Sequence, residues 1–205
     1  MARYVPELVK IGRNHKIVIL ETSIPCLFFY CQMTHPVKIF RFCPRCGSSR
    51  FPAASERSFR CETCDFIYYI NSSAAVAALI FNEKGKLLLT RRAFDPDKGK
   101  LDLPGGFIDP GECAEEALER ELLEELGIRV KSMKYLTSRA NEYLFSGITV
   151  FTTDFAYRVE PLSLKDLKAG DDITGFEWVD PCRVDPAEIP AASIRFFVKE
   201  IAVHE

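Results

Sequence analysis

The chain has 205 residues, 47% of them hydrophobic and 27% charged, which excludes a disordered or collagen-like polypeptide and suffices for one ordinary domain plus a small satellite. Its net charge of −2 is unevenly spread: residues 1–72 carry 10 Lys and Arg against 5 Asp and Glu, residues 73–205 carry 17 against 24. A basic segment suits an anionic partner, and an acidic one suits either metal sites or a solvated surface.

Residues 1–39 form an N-terminal segment without clear periodicity or motif. No apolar run in the chain is long enough to span a membrane. The best candidate, residues 17–31, is broken by Glu21 and Pro25 and lacks a small-residue cleavage site, so it does not read as a signal peptide. The expectation is a soluble, cytoplasmic protein with no membrane partner. Met33 lies ten residues before the first paired cysteine, and residues 1–32 are expected to be an overhang ahead of a later start.

Residues 40–72 carry the first motif. Of eight cysteines, four fall into Cys43-Pro-Arg-Cys46 and Cys61-Glu-Thr-Cys64, fourteen residues apart. A two-residue gap lets both thiolates of a tight turn reach one ion, and a second such turn closes a tetrahedral site suited to structural Zn2+. A redox Cys-x-x-Cys normally occurs once and beside a βαβ pattern, which is missing here. Cys26, Cys31, Cys113 and Cys182 are isolated and read as packed thiols.

A strand over 66–70 and a linker at 71–73 lead into the main domain, residues 73–205. There the pattern predicts a buried strand over 75–81, a turn at 82–85 and a hairpin partner over 86–90. A loop at 93–100 and a short extended piece at 101–103 precede Pro104-Gly105-Gly106. A helix is expected from Glu112, after Pro110-Gly111, to a left-handed cap at Gly127. Further strands are predicted over 128–136, 143–150, 151–159 and 175–179, and a helix over 191–203 from apolar residues at 194, 197, 198 and 201. The fold class is α+β, a mixed sheet flanked by helices and preceded by a small β zinc ribbon.

Glu121, Glu124 and Glu125 stand at i, i+3 and i+4 of the long helix and share one edge, bordering a stripe formed by Leu118, Leu122 and Leu126. Glu115, Glu116 and Glu119 fall on the wetter side. Like charges at that spacing oppose the helix unless a cation offsets them, and oxygen ligands with room for phosphate suit Mg2+. A plain acidic surface helix is the competing reading.

The surroundings of that helix run Gly106, five residues, Glu112, seven residues, Arg120-Glu121-Leu122, one residue, Glu124-Glu125, one residue, Gly127-Ile128. This spacing matches the Nudix box at every position, and the chain resembles a Nudix hydrolase. The resemblance implies an α/β/α sandwich and Mg2+- or Mn2+-dependent hydrolysis of a nucleoside diphosphate linked to another group. It implies that Glu121, Glu124 and Glu125 bind the divalent cations and that Arg120 orients them. The general base is expected at Glu124 or Glu121, although relatives also place it in a later loop. Gly105 and Gly106 allow close backbone approach, and Arg91 or Arg92 could hold a phosphate; solvated strand ends explain those arginines equally well.

A four-cysteine element before such a domain is similar to the arrangement of NADH pyrophosphatases. Asp172, six residues before Trp178, falls where relatives carry an additional metal-binding acid. The dinucleotide motif of those enzymes, Ser-Gln-Pro-Trp-Pro-Phe-Pro, is not matched: the region reads Ser138-Arg139-Ala140-Asn141-Glu142-Tyr143-Leu144-Phe145. Tyr143 could stack on a base or simply belong to the core. The expected partner is a small-molecule nucleotide such as a dinucleotide or nucleotide sugar. A homodimer and a nucleic-acid contact through the basic segment stay open, as does an adaptor role in which the fold only binds nucleotide.

Overall fold

The computed structural model describes residues 34–204. The proposed overhang, Cys26 and Cys31 therefore lie outside the described residues. Among these residues no helix is long and apolar enough to cross a membrane.

After a one-turn helix α1 (Pro36–Ile39), three short antiparallel strands, β1 (Ala53–Ser55), β2 (Ser58–Arg60) and β3 (Ile67–Tyr69), form a separate small sheet. Its own core gathers Phe51 and Phe59, stacked with ring centroids 4.8 Å apart, beside Cys43 and Cys61. The ribbon expected from the cysteine spacing is present.

The larger unit contains two three-stranded sheets. In one, β4 (Ser73–Leu79) pairs in parallel with β8 (Ile148–Pro161), which pairs antiparallel with β7 (Val130–Phe145). In the other, β5 (Leu87–Arg92) lies between β6 (Leu101–Asp102) and β9 (Ile173–Val179), all antiparallel. Alternation along the strands divides the apolar residues between two cores. Val76, Ala78, Ile80 and Leu88 face helix α2 (Ala114–Leu126), while Ala77, Leu79, Leu87 and Leu89 face the C-terminal helical segment. That segment is α3 (Ala192–Phe196) continued by a π-helical turn, Phe197–Ile201. Strands covered on both faces read as continuous apolar runs, which is why β4 and β5 show no polar alternation.

Three sequence expectations change. The 75–81 and 86–90 segments are not a regular hairpin: they meet at the single bridge Phe81–Leu87 and then diverge into different sheets. The strands expected over 143–150 and 151–159 are misplaced, because the chain reverses at Ser146-Gly147, with φ of 50° and 78°, between two long hairpin arms. Positive φ at both central residues matches the twist of a two-residue hairpin. Finally, Cys113 and Cys182 are exposed, not packed; Cys113 is the N-cap of α2 and Cys182 lies in a 3-10 turn, where neither side chain meets a core.

Candidate active site

The long helix begins and ends as its sequence dictates. Glu116 accepts a hydrogen bond from the Cys113 N–H at 2.9 Å, completing one leg of a capping box, and Gly127 closes the helix at φ 69° with its N–H donating to Leu123. Acids in the first turn meet the positive helix pole. Glu124 and Glu125 instead sit in the last turn, at the negative pole, where no basic residue stands.

Packing makes these acids unequal. Glu125 is buried and its Oε2 accepts from the Gly105 N–H at 3.0 Å; Glu121 is mostly buried, and Glu124 is exposed. Burial pushes the Glu125 carboxyl up to about 9, the Gly105 N–H opposing this and the charges of Asp172 and Glu121 adding to it. Burial also raises Glu121, against the pull of Arg120. Asp172, immediately before β9, therefore joins this carboxylate group in space. Arg120 binds it from the other side. Its guanidinium donates to Glu112 at 2.8 and 3.0 Å, to Glu121 at 2.8 Å, to Glu124 at 3.1 Å and to the Phe107 carbonyl at 3.0 Å. With so many partners Arg120 orients carboxylates and has little left for a substrate.

The two glycines serve different contacts. A Cβ at Gly105, whose φ is 135°, would meet the Val76 carbonyl at 2.2 Å, whereas one at Gly106 would meet Glu121 Oε1 at 2.5 Å. Gly105 thus permits the turn itself, and Gly106 leaves room for a carboxylate. The acidic group fits divalent cations: a buried carboxylate at a helix C-terminus, with two acidic neighbours and one N–H donor, lacks a positive partner that hard cations supply through oxygen ligands.

Beside it opens a cleft of about 210 Å3, whose lining includes Arg92, Gly105, Gly106, Tyr143 and Asp172. Arg92 donates to Asp102 at 2.9 Å and to the Pro96 carbonyl at 3.1 Å. Arg91 is not part of this lining. It is held by Glu177 at 2.6 Å and donates to the Gly99 carbonyl at 2.9 Å, because adjacent strand residues point to opposite faces. Tyr143 lies 6.4 Å from Phe107 between ring centroids, and burial raises its hydroxyl above the usual phenol range. Phe107, Asp102, Thr152 and Asp154 also line the cleft and escaped the sequence reading. Phe107 follows Gly106 directly, which was the one available signal; the others depend on strand pairing.

The four ribbon thiols form a second cluster. All four Sγ atoms lie within 4.8 Å of one another, with Cys43–Cys64 at 3.8 Å and Cys46–Cys61 at 3.7 Å. A disulfide requires about 2.05 Å, whereas a tetrahedron with metal–sulfur bonds of about 2.3 Å has edges of about 3.8 Å. The Thr63 N–H donates to Cys61 Sγ at 3.4 Å, the kind of outer contact that supports a thiolate.

The NUDIX domain family matches residues 71–198, more than half of the chain. The chain belongs to this family. It is 30% identical over 115 residues to a Chromobacterium violaceum protein named NAD-capped RNA hydrolase NudC, covering 56% of this chain and 43% of that one. A Pseudomonas syringae pv. tomato protein of the same name is 31% identical over 130 residues, covering 63% and 46%. The Nudix chain thus spans less than half the length of these curated relatives. Among solved structures, a NUDIX hydrolase from Nitrosomonas europaea shares the fold with a TM-score of 0.56 at 22% identity, covering 81% of this chain and 94% of that one. A MutT protein from Methanosarcina mazei Go1 gives a TM-score of 0.50 at 28% identity, covering 62% and 91%.

Proposed function

We propose that the protein hydrolyses the pyrophosphate bond of a nucleoside diphosphate linked to another group, with a dinucleotide such as NAD(H) or a nucleotide sugar favoured over a triphosphate. The observation that carries this reading is the convergence of Glu121, Glu125 and Asp172, with Glu124 at the rim, beside the cleft at Gly105-Gly106. These four acids would hold Mg2+ or Mn2+. Such ions, when bound, neutralise the diphosphate and make water more acidic. Glu124, exposed and held by Arg120 at 3.1 Å, would accept the proton of an attacking water, with Glu121 as the alternative base. Arg120 fixes the spacing of the acids, and Arg92 presents positive charge to the cleft. The ribbon cysteines Cys43, Cys46, Cys61 and Cys64 would hold Zn2+ in a structural role, as no open coordination position is needed there.

The names of the relatives support an NAD-like substrate, and the unmatched dinucleotide motif leaves its recognition to other residues. Side-by-side kinetics with Mg2+ on NADH, nucleotide sugars and nucleoside triphosphates test the reading. Higher kcat/KM for the diphosphate-linked compounds is expected. A preference for triphosphates would overturn the substrate class, and turnover of none would favour an adaptor that binds nucleotide without hydrolysing it.

A further inference from the structure

Two residues in the lining of the cleft carry buried oxygens without partners. Thr152 and Asp154, on β8, are 3% and 6% exposed, yet both line the cleft. Among the described residues neither Thr152 Oγ1 nor Asp154 Oδ1 has a hydrogen-bond partner. The other oxygen of Asp154, Oδ2, accepts from the buried Ser193 hydroxyl, which anchors the carboxylate and leaves Oδ1 directed elsewhere. An unpaired buried acceptor is costly, so a ligand that packs over these oxygens gains most if it supplies donors of its own.

The neighbours narrow the ligand. A carboxylate, with Asp102 close enough to feel its charge and Arg92 already bonded to Asp102, repels phosphate, so the diphosphate belongs at the Gly105-Gly106 turn of the cleft, beside the α2 acids. Tyr143 and Phe107 offer aromatic surface to the same cleft, and Ala75, paired with Asp154 in the β4–β8 ladder, adds a small side chain to its lining. Aromatic walls and small floor residues suit a flat ring. Two buried, unpaired acceptors, reached by small side-chain rotations, match the two N–H donors of one amino group.

Resting on the hydrolase reading for the ligand being a nucleotide, we propose that Thr152 and Asp154 recognise the amino group of its flat ring, either the exocyclic amine of a purine or the carboxamide of a nicotinamide. Thr152 Oγ1 and Asp154 Oδ1 each accept one N–H, while Tyr143 and Phe107 pack against the ring. A site built to receive N–H donors discriminates strongly against an analogue that lacks them, because its own acceptors then stay unpaired.

The test is equilibrium binding by the full chain with EDTA present, which needs neither hydrolysis nor a catalytic ion. AMP and GMP are compared with purine riboside 5′-monophosphate, and nicotinamide mononucleotide with nicotinic acid mononucleotide, each analogue keeping the ring, ribose and phosphate of its counterpart but lacking the amino group. At least one of the three amino compounds should bind about tenfold or more tightly than its analogue, and which one does so identifies the ring. Thr152→Val, close in volume and apolar, and Asp154→Ala, which removes the carboxylate without overpacking, should reduce that margin to about twofold or less. Thr152→Val should also keep or raise the melting temperature, since it removes an unpaired buried hydroxyl, so its lost affinity is not a folding defect. Equal affinity of each amino compound and its analogue in the wild type, no binding of any, or an undiminished margin in a folded Thr152→Val variant would overturn the inference. Absence of turnover with Mg2+ would overturn the hydrolase reading instead, and the metal-free binding result stands apart from it.

Discussion

The cysteine ribbon and the acidic end of α2 each gather four groups of metal-ligating chemistry, but by different means. The thiols come from two tight turns, and their sulfurs already stand 3.7 and 3.8 Å apart in pairs, the edge of a closed tetrahedron. The carboxylates come from one helix plus a remote turn at Asp172, and they range from buried Glu125 to exposed Glu124. Arg120 spaces Glu121 and Glu124, while the charges of Asp172 and Glu121 still raise Glu125. A closed, soft, symmetric cluster suits a permanent structural ion; an uneven group of hard ligands beside a cleft suits ions that must also meet a substrate.

The largest expected effect separates them by activity. Glu124→Gln and Glu125→Gln keep volume and helix propensity, yet each should lower Mg2+-dependent kcat/KM by roughly 10² or more, about 2.7 kcal/mol of transition-state stabilisation. Glu119→Gln, on the exposed side of α2, should match the wild type. Glu119 is a cleaner control than Glu116, which caps the helix through the Cys113 N–H. Identical losses at Glu119 and Glu124 would reduce the helix to a charged surface.

A second substitution breaks the comparison from the other side. Cys61→Ser should reduce zinc content measured by elemental analysis and expose the ribbon to proteolysis, with the Nudix region still folded because its two cores share no residue with that of the ribbon. Carefully purified wild type without zinc would end this assignment.

The smallest effect concerns pH in the metal-free protein. The Glu125 carboxyl is raised from 4.5 to about 9, so the folded state holds a proton that the unfolded chain releases earlier. Its contribution to stability is fully present below about pH 4.5 and is lost as pH rises through about 9. Thermal melts in EDTA should therefore show a decline across pH 5–9 that Glu125→Gln flattens. Mg2+ should restore stability at the alkaline end; melts of wild type and Glu125→Gln that run parallel in EDTA would refute the account.

What could be read in advance was local. Two-residue gaps between cysteines, i, i+3 and i+4 spacing of glutamates, and a glycine after the last helical leucine each operate within one or two turns of chain. The family assignment rests on that same short-range spacing. The faces of the long hairpin were not legible. Between Tyr135 and Thr137 the β7–β8 register shifts by one residue at Leu136. Before the bulge Tyr135 pairs with Tyr157 on the α2 side; after it Asn141 pairs with Thr152, and Tyr143 with Val150, on the cleft side. One extra residue flips every following side chain to the other face.

The sequence by itself therefore determined the two cysteine pairs, the acidic helix with its caps and the kind of chemistry they suggest, because each depends on spacing within a single turn or helix. Tertiary structure alone decided that Glu125 is buried while Glu124 is exposed, that Arg92 and not Arg91 reaches the cleft, and that Tyr143, Thr152 and Asp154 all line it. Those outcomes follow from parallel pairing of β4 with β8, a bulge in β7 and strand parity in β5, which are long-range choices that no short window of sequence encodes.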